Sequence, residues 1–313
     1  MTDSFNTPVL FIIFNRPDTT QLVFDAIRRV KPKQFFVAAD GPRRDRPEDK
    51  GKCEAARKII GQVDWDCKIR TLLRDENLGC GRAESSAMTW FFENVEEGII
   101  LEDDCLPDQS FFYYAESLLK KYKNDERVMM ISGNNFQGGV KRGGGDYYFS
   151  RLPHSWGWAT WRRVWKQYDF DVKDFPEFLK RKTIEKIFEK KEIQEFWLEK
   201  IEEVYTHRLD TWDYQLFEAI WKNNGLCISP NVNLISNVGF GPDATHTLVG
   251  SSVVANVPSQ SLLLPLAHPS KIAVDKDADD FDAVEYMRNT KIKRFLKKIG
   301  LFDFMRYLYH KYL

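Results

Sequence analysis

The amino-acid sequence predicts an α/β protein with a mostly parallel central sheet flanked by helices. Two observations lead there. In the first part of the chain, short apolar runs of buried-strand length alternate with amphipathic segments at helical spacing. Each apolar run also stops at Asn, Asp, Gly or a charged residue, the types that end strands and open turns. A helix between consecutive strands returns the chain to the same sheet edge, which makes the strands parallel.

The elements follow in order. Residues 9–14 form a buried strand, stopped by Asn15-Arg16-Pro17. Asp18-Thr19-Thr20 opens a helix through Arg29, with Leu22, Val23, Ala26 and Ile27 on its apolar face. Residues 34–39 are a second strand, closed by Asp40-Gly41-Pro42. The charged stretch 43–52 predicts a surface loop, followed by a helix carrying Ala55, Ala56, Ile59 and Ile60. Residues 69–73 are a third strand. A turn at 77–81 then leads into a helix through Trp90 and Phe91. Gly98, Ile99, Ile100 and Leu101 make a fourth strand that runs into Glu102-Asp103-Asp104.

The second half is less regular. Residues 127–132 predict a strand, and the glycine-rich 138–145 a mobile loop without the spacing of a phosphate-cradling motif. Trp156, Trp158, Trp161 and Trp165 crowd one short segment after His154. Residues 184–205 predict one highly charged helix with a narrow apolar stripe, lying on the outside. A further helix covers 214–221.

Composition bounds the function. The 313 residues are 43% hydrophobic, enough to bury a sizeable core. Formal net charge is zero, so the overall balance gives no argument for nucleic acid. Five cysteines without CxxC spacing predict reduced thiols in a cytoplasmic protein and no zinc site. The polar start and short first apolar run predict no signal peptide, and no apolar run is long enough to span a membrane.

Glu102-Asp103-Asp104 carries the functional reading. A buried strand cannot end in three adjacent carboxylates unless their charge is compensated. A solvated acidic turn is one answer. The other is a divalent cation, Mn²⁺ or Mg²⁺, whose shell is completed by the oxygens of a diphosphate. In parallel sheets ligands bind beyond the carboxyl ends of the strands. Asn15-Arg16, Asp40, residues 77–79 and the triplet all sit at such ends.

On these residues the chain resembles nucleotide-sugar glycosyltransferases of the GT-A fold, and within them the N-acetylglucosaminyltransferase I group and its bacterial relatives. The resemblance runs over about 8–246. It comprises Asn15-Arg16, Ala38-Ala39-Asp40-Gly41, the acidic triplet with Leu106, Asp108, Phe111 and Phe112, Gly157-Trp158, Trp212-Asp213, Gly225 to Pro230, and Phe240-Gly241. It implies a fold and a reaction: transfer of a sugar, N-acetylglucosamine in the nearest group, from a UDP-sugar to a glycan or glycolipid acceptor in surface polysaccharide synthesis. It also implies roles. Arg16 and Asp40 contact the nucleotide, Asp103 the ribose or sugar, Asp104 the metal, and Asp213 is the catalytic base. Glu102 belongs with the donor-binding set.

Other readings stay open beside these. Asp213 also suits the first turn of a helix, where acids are favoured, and Asp210 is its nearest competitor as base. Asp40 is also an ordinary turn residue. Trp158 is either core or a platform for a sugar ring. His246 is either a late metal ligand or a loop residue. A nucleotidyltransferase and an inactive nucleotide-sugar-binding protein are the alternative functions, the first disfavoured because no glycine-rich loop follows the first strand.

The chain divides into a transferase domain, 1–288, and a basic amphipathic tail, 289–313. The tail holds seven Lys/Arg against Asp303. It predicts either an interfacial helix on an anionic inner membrane leaflet or a helix packed on the domain.

Overall fold

The structure, a computed structural model, describes residues 5–239 and 257–298, with side chains in the last helix to position 287. The α/β class is the one observed. Strand β1 (Val9–Ile13) is wholly buried and apolar. It pairs in parallel with β2 (Gln34–Ala39) on one side and β4 (Glu97–Glu102) on the other. Strand β3 (Lys68–Leu73) extends β2 in parallel and forms the sheet edge.

Between these strands run helices α1 (Pro17–Val30), α2 (Pro47–Ile59) and α3 (Cys80–Asn94). Both α1 and α2 begin at a proline, whose missing N–H costs nothing there. The second helix therefore starts inside the stretch expected to be loop. It turns Ala56 and Ile59 inward, with Cys53 and the buried carboxylate of Asp49.

Beyond β4 come β5 (Cys105–Pro107), α4 (Gln109–Tyr122), β6 (Val128–Ser132), β7 (Tyr147–Ser150), β8 (Trp158–Trp161) and the one-turn α5 (Arg162–Trp165). The short helices α6 (Phe175–Lys180) and α7 (Thr183–Ile187) precede α8 (Lys191–Tyr205) and α9 (Asp213–Lys222). Strands β9 (Leu226–Pro230) and β10 (Ile235–Asn237) and helix α10 (Lys276–Lys298) complete the described chain. The main sheet has the order β3-β2-β1-β4-β8-β6-β9-β7. Strand β8 is antiparallel to both β4 and β6, and β7 is antiparallel to β9. The other six strands share one direction.

Two departures from expectation have physical causes. The single helix over 184–205 is broken, because Phe188 is extended (φ −113°, ψ 131°) and ends α7. Its apolar stripe is not on the outside either. Ile184, Ile193, Phe196, Trp197 and Ile201 are buried against Phe217 and Trp221 of α9 and Ala283 of α10, making a second core beside the sheet. The stripe was narrow, but three further helices supply the rest of that core.

The glycine-rich 138–145 loop is tied down by Asn231, whose amide donates to the carbonyls of Arg142 and Gly145. Helix α10 runs unbroken through position 288, so the expected boundary between domain and tail falls inside one helix. Its first turns are docked, with Ala278, Asp279, Asp282 and Ala283 buried. Residues 299–313 lie outside the described residues, and no described helix is long and apolar enough to cross a membrane.

Candidate functional site

A cleft of about 400 Å³ opens at the carboxyl ends of β1, β2 and β4. Arg16, Asp40, Glu102, Asp103 and Asp104 all line it. The register explains why. Glu102 is the partner of Ile12 and Ala39 that of Ile13, so the residues after all three strands emerge on one edge.

Asp103 is buried and accepts from the Phe14 amide at 3.0 Å. The Arg16 guanidinium lies between two carboxylates. Nη1 is 2.6 Å from Asp104 Oδ2 and 3.6 Å from Asp103 Oδ1. Asp40 accepts from Asn77 Nδ2 at 2.8 Å and from the Leu78 amide at 3.1 Å. Burial nevertheless raises its carboxyl above the usual range. The turn that supplies these donors depends on Gly79, at φ +80°, where a Cβ would lie 2.8 Å from Asp210 Oδ2.

Charge is poorly balanced here. Burial, then the Glu84 and Asp104 carboxylates, push Glu102 well above its ordinary value. Burial lifts Asp103 to about 7 although Arg16 pulls it down. Burial raises Glu84 to about 8, with Asp104, Asp213 and Asp103 adding to it. Ligand atoms of Glu102, Asp104 and Cys105 lie within 4.8 Å of one another. The Cys105 thiol is buried and held well above its ordinary value, so it stays protonated and is no ligand for a hard cation. The two carboxylates are the oxygen donors that Mg²⁺ and Mn²⁺ prefer, and a cation would relieve the crowding of negative charge. The residues present therefore fit a divalent ion, which Asp104 and Glu102 would hold.

The structure does not bring every expected residue to this cleft. Trp158 is 1% exposed and stacks on Trp212, with ring centroids 5.6 Å apart. It is core, and the platform reading is corrected. Gly157, at φ +63°, turns the chain so that Trp158 enters β8 while Trp156 lines the cleft. Asp213 begins α9, takes a hydrogen bond from Thr211 Oγ1, and does not line the cleft. Asp210 does line it, accepting from the Gly81 amide at 3.0 Å. His246 lies outside the described residues.

The lining residues that sequence reasoning missed include Trp156, Glu84 and Arg74. For Glu84 a signal existed. Cys80, Ala83 and Glu84 share one face of a helix that starts immediately after a strand-end turn.

No protein-family model matches the chain, and no curated protein matches it. Similar solved structures exist. One is the inositol-1-phosphate CTP transferase of T. maritima, 7% identical with a TM-score of 0.36, covering 72% of this chain and 85% of that one. Another is residues 1–349 of S. aureus TarS, 11% identical with a TM-score of 0.35, covering 51% of this chain and 48% of that one. A UDP-glucose pyrophosphorylase complexed with UDP-glucose is 12% identical with a TM-score of 0.30, covering 51% and 78%.

Proposed function

We propose that this chain is a GT-A glycosyltransferase of the N-acetylglucosaminyltransferase I type. It would move a sugar, N-acetylglucosamine as the first candidate, from a UDP-sugar to a glycan or glycolipid acceptor, with inversion and with Mn²⁺ or Mg²⁺. One observation carries the reading. A single cleft at the ends of parallel strands gathers Arg16, Asp40 and the three carboxylates 102–104, whose charge calls for a cation.

The residues have distinct tasks. Asp40, fixed by Asn77 and the Leu78 amide, offers a carboxyl edge to the imide of a uracil. Asp103, fixed by the Phe14 amide, faces the ribose or the donor sugar. Asp104 and Glu102 would hold the divalent cation, which supplies Lewis-acid stabilisation of the departing diphosphate. Arg16 adds a guanidinium that can follow the same charge. Trp156 offers an aromatic face for a sugar ring. The acceptor hydroxyl must lose its proton as it attacks from the side opposite the diphosphate, which needs a carboxylate base and gives inversion. Asp213 is the assigned base, and Asp210 is the alternative within the cleft.

Calorimetry tests the proposal: a UDP-sugar titrated with and without Mn²⁺ into wild type and Asp104→Ala. Metal-dependent binding that disappears in the variant supports it. Absence of binding by folded wild type rejects it. The second reading is a nucleotidyltransferase making nucleotide sugars, which the same acidic sheet edge would suit. Against it, Asn15-Arg16-Pro17 leaves no glycine-rich loop between β1 and α1. Pyrophosphate release from a nucleoside triphosphate and a sugar phosphate would decide for it. An inactive sugar-binding protein would bind donor without hydrolysing or transferring it.

A further inference from the structure

We propose that Arg16 is a displaceable latch on the cation site, so that the divalent ion and the nucleotide enter together and not independently. The inference rests on the assignment of Asp104 as the metal ligand.

Both oxygens of Asp104 are engaged. Oδ2 accepts from Arg16 Nη1 at 2.6 Å, and Oδ1 faces the Cys105 thiol at 3.5 Å. The backbone at Gly239 presses on the same carboxylate, so closely that any Cβ there would collide with it. A hard cation that takes Asp104 Oδ2 must therefore displace the Arg16 guanidinium. Among the described residues, the ion pairs of Asp103 and Asp104 both run to Arg16, so this one guanidinium serves as counterion to two carboxylates.

The backbone of Arg16 is not free to follow the metal. Its carbonyl accepts from the Thr20 amide at 2.9 Å and from Thr20 Oγ1 at 2.7 Å, fixing the start of α1. The side chain must do the moving. A guanidinium leaving a carboxylate in a partly buried site needs a new anion, and its planar fork matches phosphate oxygens. A diphosphate supplies that anion. The apparent affinity of a site that is open only part of the time falls by the open fraction. Metal alone must then compete with Arg16, whereas metal with UDP gives Arg16 somewhere to go. Linkage makes the effect reciprocal: the ion tightens UDP by the same factor as UDP tightens the ion.

The test is Mn²⁺ binding followed by the EPR signal of the free ion, with and without UDP and with no turnover. Wild type, Arg16→Gln, Arg16→Lys and Asp104→Ala are compared, each checked for native far-UV circular dichroism. Wild type should bind Mn²⁺ at least about tenfold more tightly with UDP, the scale of one close opposing charge relieved. Arg16→Gln should bind Mn²⁺ alone more tightly than wild type by a similar factor and lose most of the gain from UDP. Arg16→Lys should fall between them, and it carries the test if the Gln variant does not fold. Wild type with UDP-enhanced, Asp104-dependent binding, together with an Arg16→Gln affinity that is unchanged or weaker without UDP, overturns the latch alone. No Asp104-dependent Mn²⁺ binding in any of the proteins overturns the metal reading, and the latch with it.

Discussion

The cleft and the helical side of the molecule both bury carboxylates, but they treat them differently. On the helical side each has its partner inside the fold. Asp282 of α10 meets His154 Nε2 at 3.0 Å, with both side chains 1% exposed. Asp279 accepts from Ser150 Oγ at 2.5 Å and from the Arg151 amide at 3.0 Å. Glu218 of α9 lies 3.3 Å from Lys222 Nζ. In the cleft, Asp103 and Asp104 share Arg16, while the Glu84 carboxylate adds to burial in raising Glu102. Burial lifts Asp279 and Glu218 to about 7 as it does Asp103, so a raised pKa does not tell the two regions apart. Geometry does. One set is paired off within the fold, and the other faces an opening, with one guanidinium shared between Asp103 and Asp104.

The largest effect should come from removing charge in the cleft. Asp104→Ala should lower transfer by about a thousandfold or more, since the cation supplies several kcal/mol of transition-state stabilisation. Thermal stability should hold or rise. A variant that transfers normally would place the chemistry elsewhere.

Next comes the choice of base. Asp213→Asn should lose about 10²–10⁴ in turnover with donor binding intact, as for removal of a general base. Asp210→Asn should act mainly through the α3 start, where its carboxylate holds the Gly81 amide. The opposite outcome in single-turnover assays would move the base to Asp210.

The two tryptophans on either side of Gly157 sharpen the contrast on the stability axis. Trp158→Ala should cost about 3–5 kcal/mol in urea unfolding, the scale for emptying a buried aromatic site. Trp156→Ala should cost much less and show instead as a raised KM for donor or acceptor. Equal losses of stability would deny Trp156 its special place.

Much of this was legible in the sequence. The four parallel strands and the polar residues beyond them could be read because each strand was short, apolar and followed by a turn. Arg16, Asp40 and the acidic triplet reach one cleft for that reason. Strand β8 could not be read, because its place between β4 and β6 depends on long-range pairing of Trp158 with Ile100 and Ser132. The exchange of roles between Trp156 and Trp158 turns on a positive φ at Gly157, which local pattern does not reveal. The helix face carrying Glu84 was legible, but its burial was not, because a glutamate inside a helix is ordinarily solvated. The second core was hidden because each of its helices shows only a fragment of an apolar face.

The smallest effect lies in the pH dependence of stability, and it can separate the two regions. Asp279 and Glu218 titrate near 7 in the folded chain, and carboxyls titrate near 4 when unfolded. Between those values the native state binds more protons, so stability falls as pH rises. Their favourable contribution is complete below about pH 4 and is lost as pH passes through about 7. Asp103 and Glu84, at about 7 and about 8, act in the same direction. Asp49, held at about 2 by its bonds to Arg43, acts in the opposite direction but outside this window. Urea unfolding at about pH 5 and about pH 8 should thus show the protein more stable at the lower value. Mn²⁺ with UDP should then split the slope. The share from Asp103 and Glu84 should shrink, because a bound cation favours the ionised carboxylates, while the share from Asp279 and Glu218 should persist. A slope untouched by Mn²⁺ and UDP would mean that the cleft carboxylates are as self-contained as those beneath α10, and the contrast between the regions would fail.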